Sequence, residues 1–182
     1  DNGDYSLSFD GDGDYGNYVS ISSSANLNSL STSLTVMAWI NPDNYSNDYH
    51  PRILNRSECS GGGCDRWFFT WSPSADNYGV NFGIGDVSTE SVKGNTSISI
   101  NQWTHVAATF DSGNIVIYVN GNVDNSGTIN FSSLSHVQDV NLDIGSSFGA
   151  NSFFPGAIDN TVILNTVLDS TQIQSYMSTP PT

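Results

Sequence analysis

Residues 103–123 read WTHVAATFDSGNIVIYVNGNV, and they decide the fold class. Apolar and polar side chains alternate over residues 104–110 and again over 115–119, which is the period of a half-buried β-strand. Asn120-Gly121 follows directly, and this pair favours the positive φ angles of a two-residue type I′ turn. The stretch therefore predicts short antiparallel strands and a tight hairpin.

Segments with the same period recur on both sides of this stretch. They cover residues 5–9, 18–21, 33–40, 67–71, 78–84 and 157–164. One helical segment is indicated near the end, where Asp169 can cap residues 170–176 and Gln172 has the position of a capping-box partner. The pattern predicts an all-β fold: a two-sheet antiparallel β-sandwich, or jelly roll, with one short C-terminal helical turn.

The composition excludes several classes of partner. The chain of 182 residues has 4 Lys+Arg against 18 Asp+Glu, a formal net charge of -14, and 37% hydrophobic residues. The hydrophobic fraction is that of a packed globule, whereas the negative field repels nucleic-acid phosphates and anionic lipid. No apolar run has the roughly 20 residues that cross a bilayer. We expect neither nucleic-acid binding nor membrane insertion.

The two ends and the surface composition favour an extracellular domain of a larger chain. Residues 1–4 lack the basic and apolar regions of a signal peptide, so a mature piece is expected. Residues 1–178 are expected to form one domain, and residues 179–182, TPPT, a linker stub to further domains. A surface of Ser, Asn, Thr, Gly and Asp is common in secreted proteins of salt water, which favours a marine bacterium as the source.

Cys59 and Cys64 flank the short run SGGG, which can close a loop without steric cost. A disulfide between them is expected, and it implies an oxidising compartment. Closing so small a loop contributes roughly 2 kcal/mol in the chain-entropy model, so the bridge would stiffen a loop. A metal site is the alternative, although Cys-x4-Cys without paired histidines nearby is a weak zinc pattern.

Several stretches together resemble the laminin-G-like, concanavalin A-like jelly-roll family, in the bacterial branch related to pentraxins. The matching stretches are YSLSFDG at 5–11, LTVMAWINP at 34–42, WTHVAATFD at 103–111, YVNG at 118–121, IG at 144–145, GAID at 156–159 and LD at 168–169. The resemblance implies a two-sheet jelly roll whose first and last strands are neighbours, often with bound calcium. It implies binding of sugars, proteins or other cell-surface ligands, and not catalysis.

The region between residues 41 and 71 is longer than the family pattern and contains three of the four basic residues. Aromatic faces stack on sugars, and a guanidinium holds a carboxylate or sulfate through two hydrogen bonds. An acidic polysaccharide is therefore the sharper hypothesis. The predicted ligand-binding residues are Tyr45, Tyr49, His50, Arg52, Arg56, Asp65, Arg66, Trp67 and Trp71. Salt bridges of the arginines with nearby carboxylates are the structural alternative.

Trp67, Phe68 and Phe69 are three consecutive large apolar residues. Because side chains alternate between the two faces of a strand, one large ring must point outward or lie under a loop. An outward ring would form a sugar platform, and this favours Trp67 and Trp71 as ligand contacts. Packing of both tryptophans in the core is the alternative.

Calcium is expected in a structural role. If the first and last strands pair, as the resemblance implies, Asp10 and Asp159 approach each other, and two facing carboxylates usually need a cation between them. Turn and backbone hydrogen bonds of the two aspartates are the alternative. Residues 10–14, DGDGD, do not form an EF-hand, because Tyr15 replaces the turn glycine.

The predicted function is a non-catalytic, lectin-like carbohydrate-binding module of a secreted polysaccharide-degrading or cell-surface protein. Its partner would be a polysaccharide or a cell-surface glycan. An adhesin or structural spacer domain is the alternative. A polysaccharide lyase using Tyr49, His50 and Arg52, or a hydrolase, is less favoured, because the sequence has neither the paired-carboxylate strand motif of a retaining glycosidase nor a serine-hydrolase elbow.

Overall fold

The computed structural model describes residues 6–11, 17–44, 50–60, 63–71, 79–85, 90–134, 139–147, 152–177 and 181, with the backbone alone for 58–60 and 63–66. In chain order the elements are β1 (Leu7–Asp10), β2 (Val19–Ile21), α1 (Ala25–Asn28), β3 (Ser33–Pro42), β4 (Arg52–Ser60), β5 (Gly63–Trp71), β6 (Val80–Ile84), β7 (Ser91–Lys93), β8 (Thr104–Asp111), β9 (Asn114–Val119), β10 (Asn122–Thr128), β11 (Leu142–Ile144), β12 (Pro155–Leu164) and α2 (Ser170–Tyr176). Neither of these two helices has the length and apolar content to cross a lipid bilayer.

The strands form two six-stranded antiparallel sheets. Sheet 1 has the order β1-β12-β3-β8-β9-β10, and sheet 2 has the order β2-β11-β4-β5-β6-β7. The first and last strands are neighbours, with Leu7 opposite Ile158. The predicted two-sheet sandwich, the adjacent terminal strands and the short C-terminal helix are confirmed.

The main core lies between the two sheets. Alternate residues of β3, from Leu34 to Ile40, belong to this core together with alternate residues of β5, from Trp67 to Trp71. Phe69 of β5 packs on Phe82 of β6, with ring centroids 6.4 Å apart. Burying each such side chain stabilises the fold by about 1.5–3 kcal/mol, so this core supplies most of the driving force.

The stretch 103–123 forms three consecutive strands joined by two tight turns. Asn120 and Gly121 have φ angles of 49° and 74°, and Val119 pairs with Asn122, which confirms the predicted type I′ hairpin between β9 and β10. Ser112 and Gly113 make a comparable turn between β8 and β9, with φ angles of 48° and 99°. Local turn chemistry therefore fixes the register of this half of sheet 1.

A second apolar cluster lies on the outer face of sheet 1, beneath α2. It contains Met37, Ala107, Tyr118, Leu168 and Ile173. The backbone N–H of Gln172 donates to the side chain of Asp169, and the Gln172 side chain accepts from the Asp169 backbone, as the predicted capping box requires. The helix thus begins at a fixed residue and covers the apolar half of this face.

His105 lies on the same outer face, beside Trp39. The two rings meet edge to face, with centroids 5.4 Å apart, and His105 is 2% exposed. Burial lowers the pKa of His105 to about 4, because desolvation penalises the charged imidazolium. The imidazole is therefore neutral at pH 7.

The free energy of unfolding should depend on His105 between about pH 6.5 and pH 4. The pKa of His105 is lower in the folded chain than its ordinary 6.5, so the unfolded chain takes up the proton first. The contribution of neutral His105 to the free energy of unfolding is fully present above pH 6.5. As the pH falls to about 4, the free energy of unfolding decreases by roughly 3 kcal/mol. His105→Gln should flatten the profile over this window in urea unfolding. An unchanged slope in the variant would contradict the assignment.

Candidate functional site

Sheet 2 carries a row of polar residues on the face that points away from the core. The strand register places Asp143 opposite Asn55, Asn55 opposite Phe68, and Phe68 opposite Gly83. The chain neighbours of Asp143, Phe68 and Gly83 all belong to the core, so alternation places this row on the outer face.

A second row lies alongside the first. Arg52 is opposite Thr70, Thr70 is opposite Asn81, and Asn81 is opposite Lys93. The guanidinium of Arg52 lies 4.9 Å from the centroid of the Phe68 ring and so connects the two rows. We call the six central residues the polar face: Arg52, Asn55, Phe68, Thr70, Asn81 and Asp143.

Within the part of the chain that the structure describes, two amide oxygens of the polar face have no hydrogen-bond partner: Asn55 Oδ1 and Asn81 Oδ1. Their side chains are 1% and 5% exposed. The Asn55 amide nitrogen donates to Ser57 Oγ at 2.7 Å, which fixes the orientation of the amide. A buried acceptor without a donor costs about 1–3 kcal/mol, and such atoms commonly mark the place of a water or a ligand.

The edge of the polar face near β2 carries its carboxylate. Ser20 Oγ donates to Asp143 Oδ1 at 2.7 Å, and the Asn141 amide donates to Ser20 Oγ at 3.1 Å. The face therefore has a hydrogen-bonded carboxylate at one edge. Arg52 stands on β4, the strand next to β11, and Lys93 stands on β7 at the opposite edge of the sheet.

Of the predicted ligand-binding residues with described side chains, Arg52 lies on the polar face. His50 lies two residues before it and is half-buried. Tyr45 and Tyr49 lie outside the described residues. Asp65 and Arg66 are described by their backbone alone, with Arg66 opposite Ser57 in the register.

Arg56 points away from the polar face. Its guanidinium donates to Leu27 O at 2.7 Å, to Asn28 Oδ1 and to Val140 O at 3.4 Å. Burial lowers the pKa of Arg56, and the attraction of Asp139 partly offsets this. Arg56 therefore connects β4 to α1 and to the segment before β11. The structure corrects its predicted ligand role to a structural one.

Trp67 and Trp71 are 0% exposed and belong to the core. Trp67 packs 6.2 Å from Phe82, and Trp71 packs 6.2 Å from Phe154. Neither tryptophan presents a face to solvent, which corrects the expectation of a tryptophan platform. The ring that alternation directs outward is Phe68, because the sandwich takes residues 67, 69 and 71 into its interior.

The predicted calcium pair does not form. Asp10 is opposite Pro155, whereas Asp159 lies four residues further along β12, opposite Trp39. At about 3.3 Å per residue this separates the two positions by about 13 Å, too far for one cation. Among the described residues, no three His, Cys, Asp or Glu side chains gather as metal ligands would. The residues of this pair therefore do not fit a shared calcium ion.

The backbone register places Cys59 directly opposite Cys64 in the β4–β5 pair. Directly opposed residues of antiparallel strands have Cα atoms about 4.5–5.5 Å apart, which lies within the range that a disulfide spans. Their side chains are not described, so the disulfide stays a prediction that this register supports.

Of the six residues of the polar face, sequence reasoning named only Arg52 as a site residue and missed Asn55, Phe68, Thr70, Asn81 and Asp143. A signal was present, because Asn55 and Asn81 each adjoin apolar residues of a strand and so stand at positions where burial is expected. In sheet 2 both amides are buried and lie outside the core cluster, on the outer face of the sheet.

Arg56→Met should lower the free energy of unfolding by roughly 2–4 kcal/mol, because it leaves two carbonyls and an amide oxygen without their charged donor. Urea unfolding measures this effect. The folded variant should bind any ligand of the polar face with the affinity of the parent chain. A selective loss of binding without loss of stability would restore the ligand role.

A family model of the concanavalin A-like lectin/glucanases superfamily matches residues 11–174. The chain belongs to this superfamily, which confirms the resemblance in the sequence. No curated protein sequence matches the chain.

Solved structures share the fold at low sequence identity. The CBM40 domain of the Ruminococcus gnavus IT-sialidase, bound to α2,3-sialyllactose, has a TM-score of 0.72 and 14% identity, and 96% of each chain is covered. Domain 4 of the extracellular arabinanase of Geobacillus stearothermophilus, in complex with arabinotriose, has a TM-score of 0.62 and 22% identity over 81% of this chain and 68% of that chain. The heptameric SAP-like pentraxin of Limulus polyphemus has a TM-score of 0.64 and 15% identity over 94% and 80%.

Proposed function

We propose that the chain is a carbohydrate-binding domain and that the polar face of sheet 2 is its glycan site. The observation that carries the proposal is a pair of amide oxygens, Asn55 Oδ1 and Asn81 Oδ1, that have no partner in the described part of the chain and lie on the face that holds Arg52. Sugar hydroxyls are the donors that these acceptors lack, and the Phe68 ring offers a surface for sugar C–H groups. Oligosaccharides bound to two proteins of the same fold support this choice.

The ligand that we favour carries a carboxylate or a sulfate. Arg52 lies on the polar face, Lys93 is opposite Asn81, and Arg66 stands two positions before Phe68 on β5. These are three of the four basic residues of a chain with a net charge of -14. A guanidinium holds an acidic group through two parallel hydrogen bonds, so an acidic polysaccharide or acidic cell-surface glycan fits best.

Arg52 also controls access to Phe68. All six residues of the polar face are at most 7% exposed, so a ligand has to displace the side chains that cover them. Part of the cover is the Arg52 guanidinium on the Phe68 ring. An acidic group that pairs with this guanidinium would draw it from the ring and free the ring for stacking.

We propose binding without catalysis. A retaining glycosidase places two carboxyl groups about 5–5.5 Å apart. Asp143 is the carboxylate on the described part of this face, and one of its oxygens already accepts from Ser20. An extracellular setting, within a polysaccharide-degrading or surface protein, completes the proposal and agrees with the Cys59–Cys64 register.

Arg52→Met should weaken binding of acidic oligosaccharides by about tenfold to a hundredfold, because a charged hydrogen bond contributes about 1.5–3 kcal/mol. Isothermal titration with sialyllactose and with oligouronates measures this, with lactose as the neutral reference. Arg52→Lys should restore part of the affinity, since the ammonium keeps the charge without the planar fork.

Asn81→Leu is the companion variant. It should weaken binding while leaving the free energy of unfolding equal or higher, because it removes an unpaired buried acceptor. Undiminished binding by both variants would refute the polar face as the site. A folded parent chain that binds nothing on a broad glycan array would favour an adhesin or spacer domain instead.

Calcium remains a separate proposal, and a site would use residues other than the Asp10–Asp159 pair. If calcium is bound, removing it with a chelator should lower the melting temperature by several degrees, because a ligand that binds the folded chain stabilises it. Scanning calorimetry with EDTA, and again after excess calcium is restored, tests this. Identical melting temperatures in both conditions would refute the proposal that the domain binds a structural calcium ion.

A further inference from the structure

The outer face of sheet 1 carries a second group of polar residues, beside the apolar patch that α2 covers. The register places Asp159 opposite Trp39 and Trp39 opposite His105, in one row across three strands. Asn41 lies two residues along β3 from Trp39, opposite Ala157. We call Trp39, Asn41, His105 and Asp159 the Trp39 cluster.

Among the described residues, each member of the Trp39 cluster has one buried polar atom without a hydrogen-bond partner. These atoms are Trp39 Nε1, Asn41 Oδ1, His105 Nδ1 and Asp159 Oδ2. The other carboxylate oxygen of Asp159 accepts from the backbone N–H of Asn160 at 2.6 Å. Native structures leave few buried polar atoms unpaired, so four on neighbouring positions point to a group that binds there.

The backbone beside Asp159 is irregular. The pairing of β12 with β3 shifts register between Asp159 and Val162, and Asn160 has a φ of 48°. Such bulges re-aim side chains and are common beside functional sites. The irregularity begins directly after Asp159, so the carboxylate of Asp159 lies beside it.

The chemistry of the Trp39 cluster favours an uncharged hydroxyl ligand. Asp159 and Asn41 supply acceptors, the indole N–H of Trp39 is a donor, and the neutral ring of His105 can serve as either. All four basic residues of the chain, Arg52, Arg56, Arg66 and Lys93, stand on strands of sheet 2. An anion would therefore meet a carboxylate here without a compensating cation, whereas a hydroxyl both donates and accepts.

The rim of the Trp39 cluster reaches the surface. Asn41 and Asp159 are half-buried, and Ala157, which is opposite Asn41 and two residues before Asp159, presents only a methyl group. Trp39 and His105, 5% and 2% exposed, form the floor. Rotation of the two half-buried side chains would bring their unpaired oxygens to a ligand at the rim.

We propose that the Trp39 cluster is a second ligand site, which binds a neutral sugar through its hydroxyl groups. The polar face of sheet 2 takes no part in it. The domain would then hold an acidic glycan on one sheet and a neutral glycan on the other. Two sites on opposite faces raise avidity for a mixed polysaccharide and can bridge two chains of it.

The test is a nitrogen-15 NMR titration that follows the tryptophan indole N–H signals, with Trp39 assigned through Trp39→Phe. Neutral oligosaccharides of arabinose, galactose, glucose and mannose are added in turn. At least one should shift the Trp39 signal with saturation. Asn41→Ala and Asp159→Asn should each weaken that binding by tenfold or more. Asp111→Asn, which changes an exposed carboxylate at the end of β8 on the same sheet, should bind as the parent chain does.

A second measurement needs no variant of the Trp39 cluster. A spin-labelled form of the sugar that binds should broaden the Trp39 indole signal in the parent chain. No shift across the sugars, or a shift that Asn41→Ala and Asp159→Asn leave unchanged, would overturn the proposal. A cross-peak from the Trp39 indole to water that no sugar displaces would show an ordered water only. Binding of acidic sugars that is lost in Arg52→Met reports on the polar face, so the two proposals fail separately.

Discussion

Packing of two sheets through their inner faces is the constraint on which the rest of the structure depends. It removes every second residue of the central strands to the interior, including Trp67, Phe69 and Trp71. The residues between them are forced to the outer faces whatever their polarity. The polar face of sheet 2 and the Trp39 cluster of sheet 1 both result from this packing. Each consists of residues on an outer face that do not belong to the core and are nevertheless largely buried.

In the described part of both sheets, buried polar atoms without a partner lie on covered outer faces. An exposed amide on a sheet surface is satisfied by water, but Asn55 and Asn81 are buried on a face that is not the core. The fold therefore accepts a desolvation cost at these positions, and a ligand that supplies donors would offset it. Arg56 shows the contrasting case, since its buried guanidinium is satisfied within the chain and strengthens the fold.

Local patterns predicted the fold well because they act over a few residues. The alternation around Val106 and Ile117, the Asn120-Gly121 turn and the Asp169 cap all need only near neighbours. The site depends on which face each strand turns inward, and β4 changes phase between Arg52 and Leu54, where the register shifts. Ile53 and Leu54 consequently both enter the core.

That shift explains the main error in the predicted site. In an even strand, positions 52 and 56 share one face, so both arginines would serve one ligand. The extra residue places Arg52 on the polar face and turns Arg56 toward α1. Neither the composition nor the spacing of residues in the sequence predicts such a bulge. The choice between Trp67 and Phe68 as the outward ring was likewise open until the pairing with β6 was known.

The distribution of charge limits how the proposed acidic ligand can be recognised. With a net charge of -14, the chain as a whole repels an acidic polysaccharide at long range, although its basic residues all stand on sheet 2. At the ionic strength of salt water the Debye length is only about 4 Å, so this repulsion is screened beyond contact. Direct hydrogen bonds from Arg52 are screened far less, because the side chain is buried. At high salt, the ligand would therefore be selected by the geometry of its direct contacts with Arg52, and long-range electrostatic attraction or repulsion would matter little.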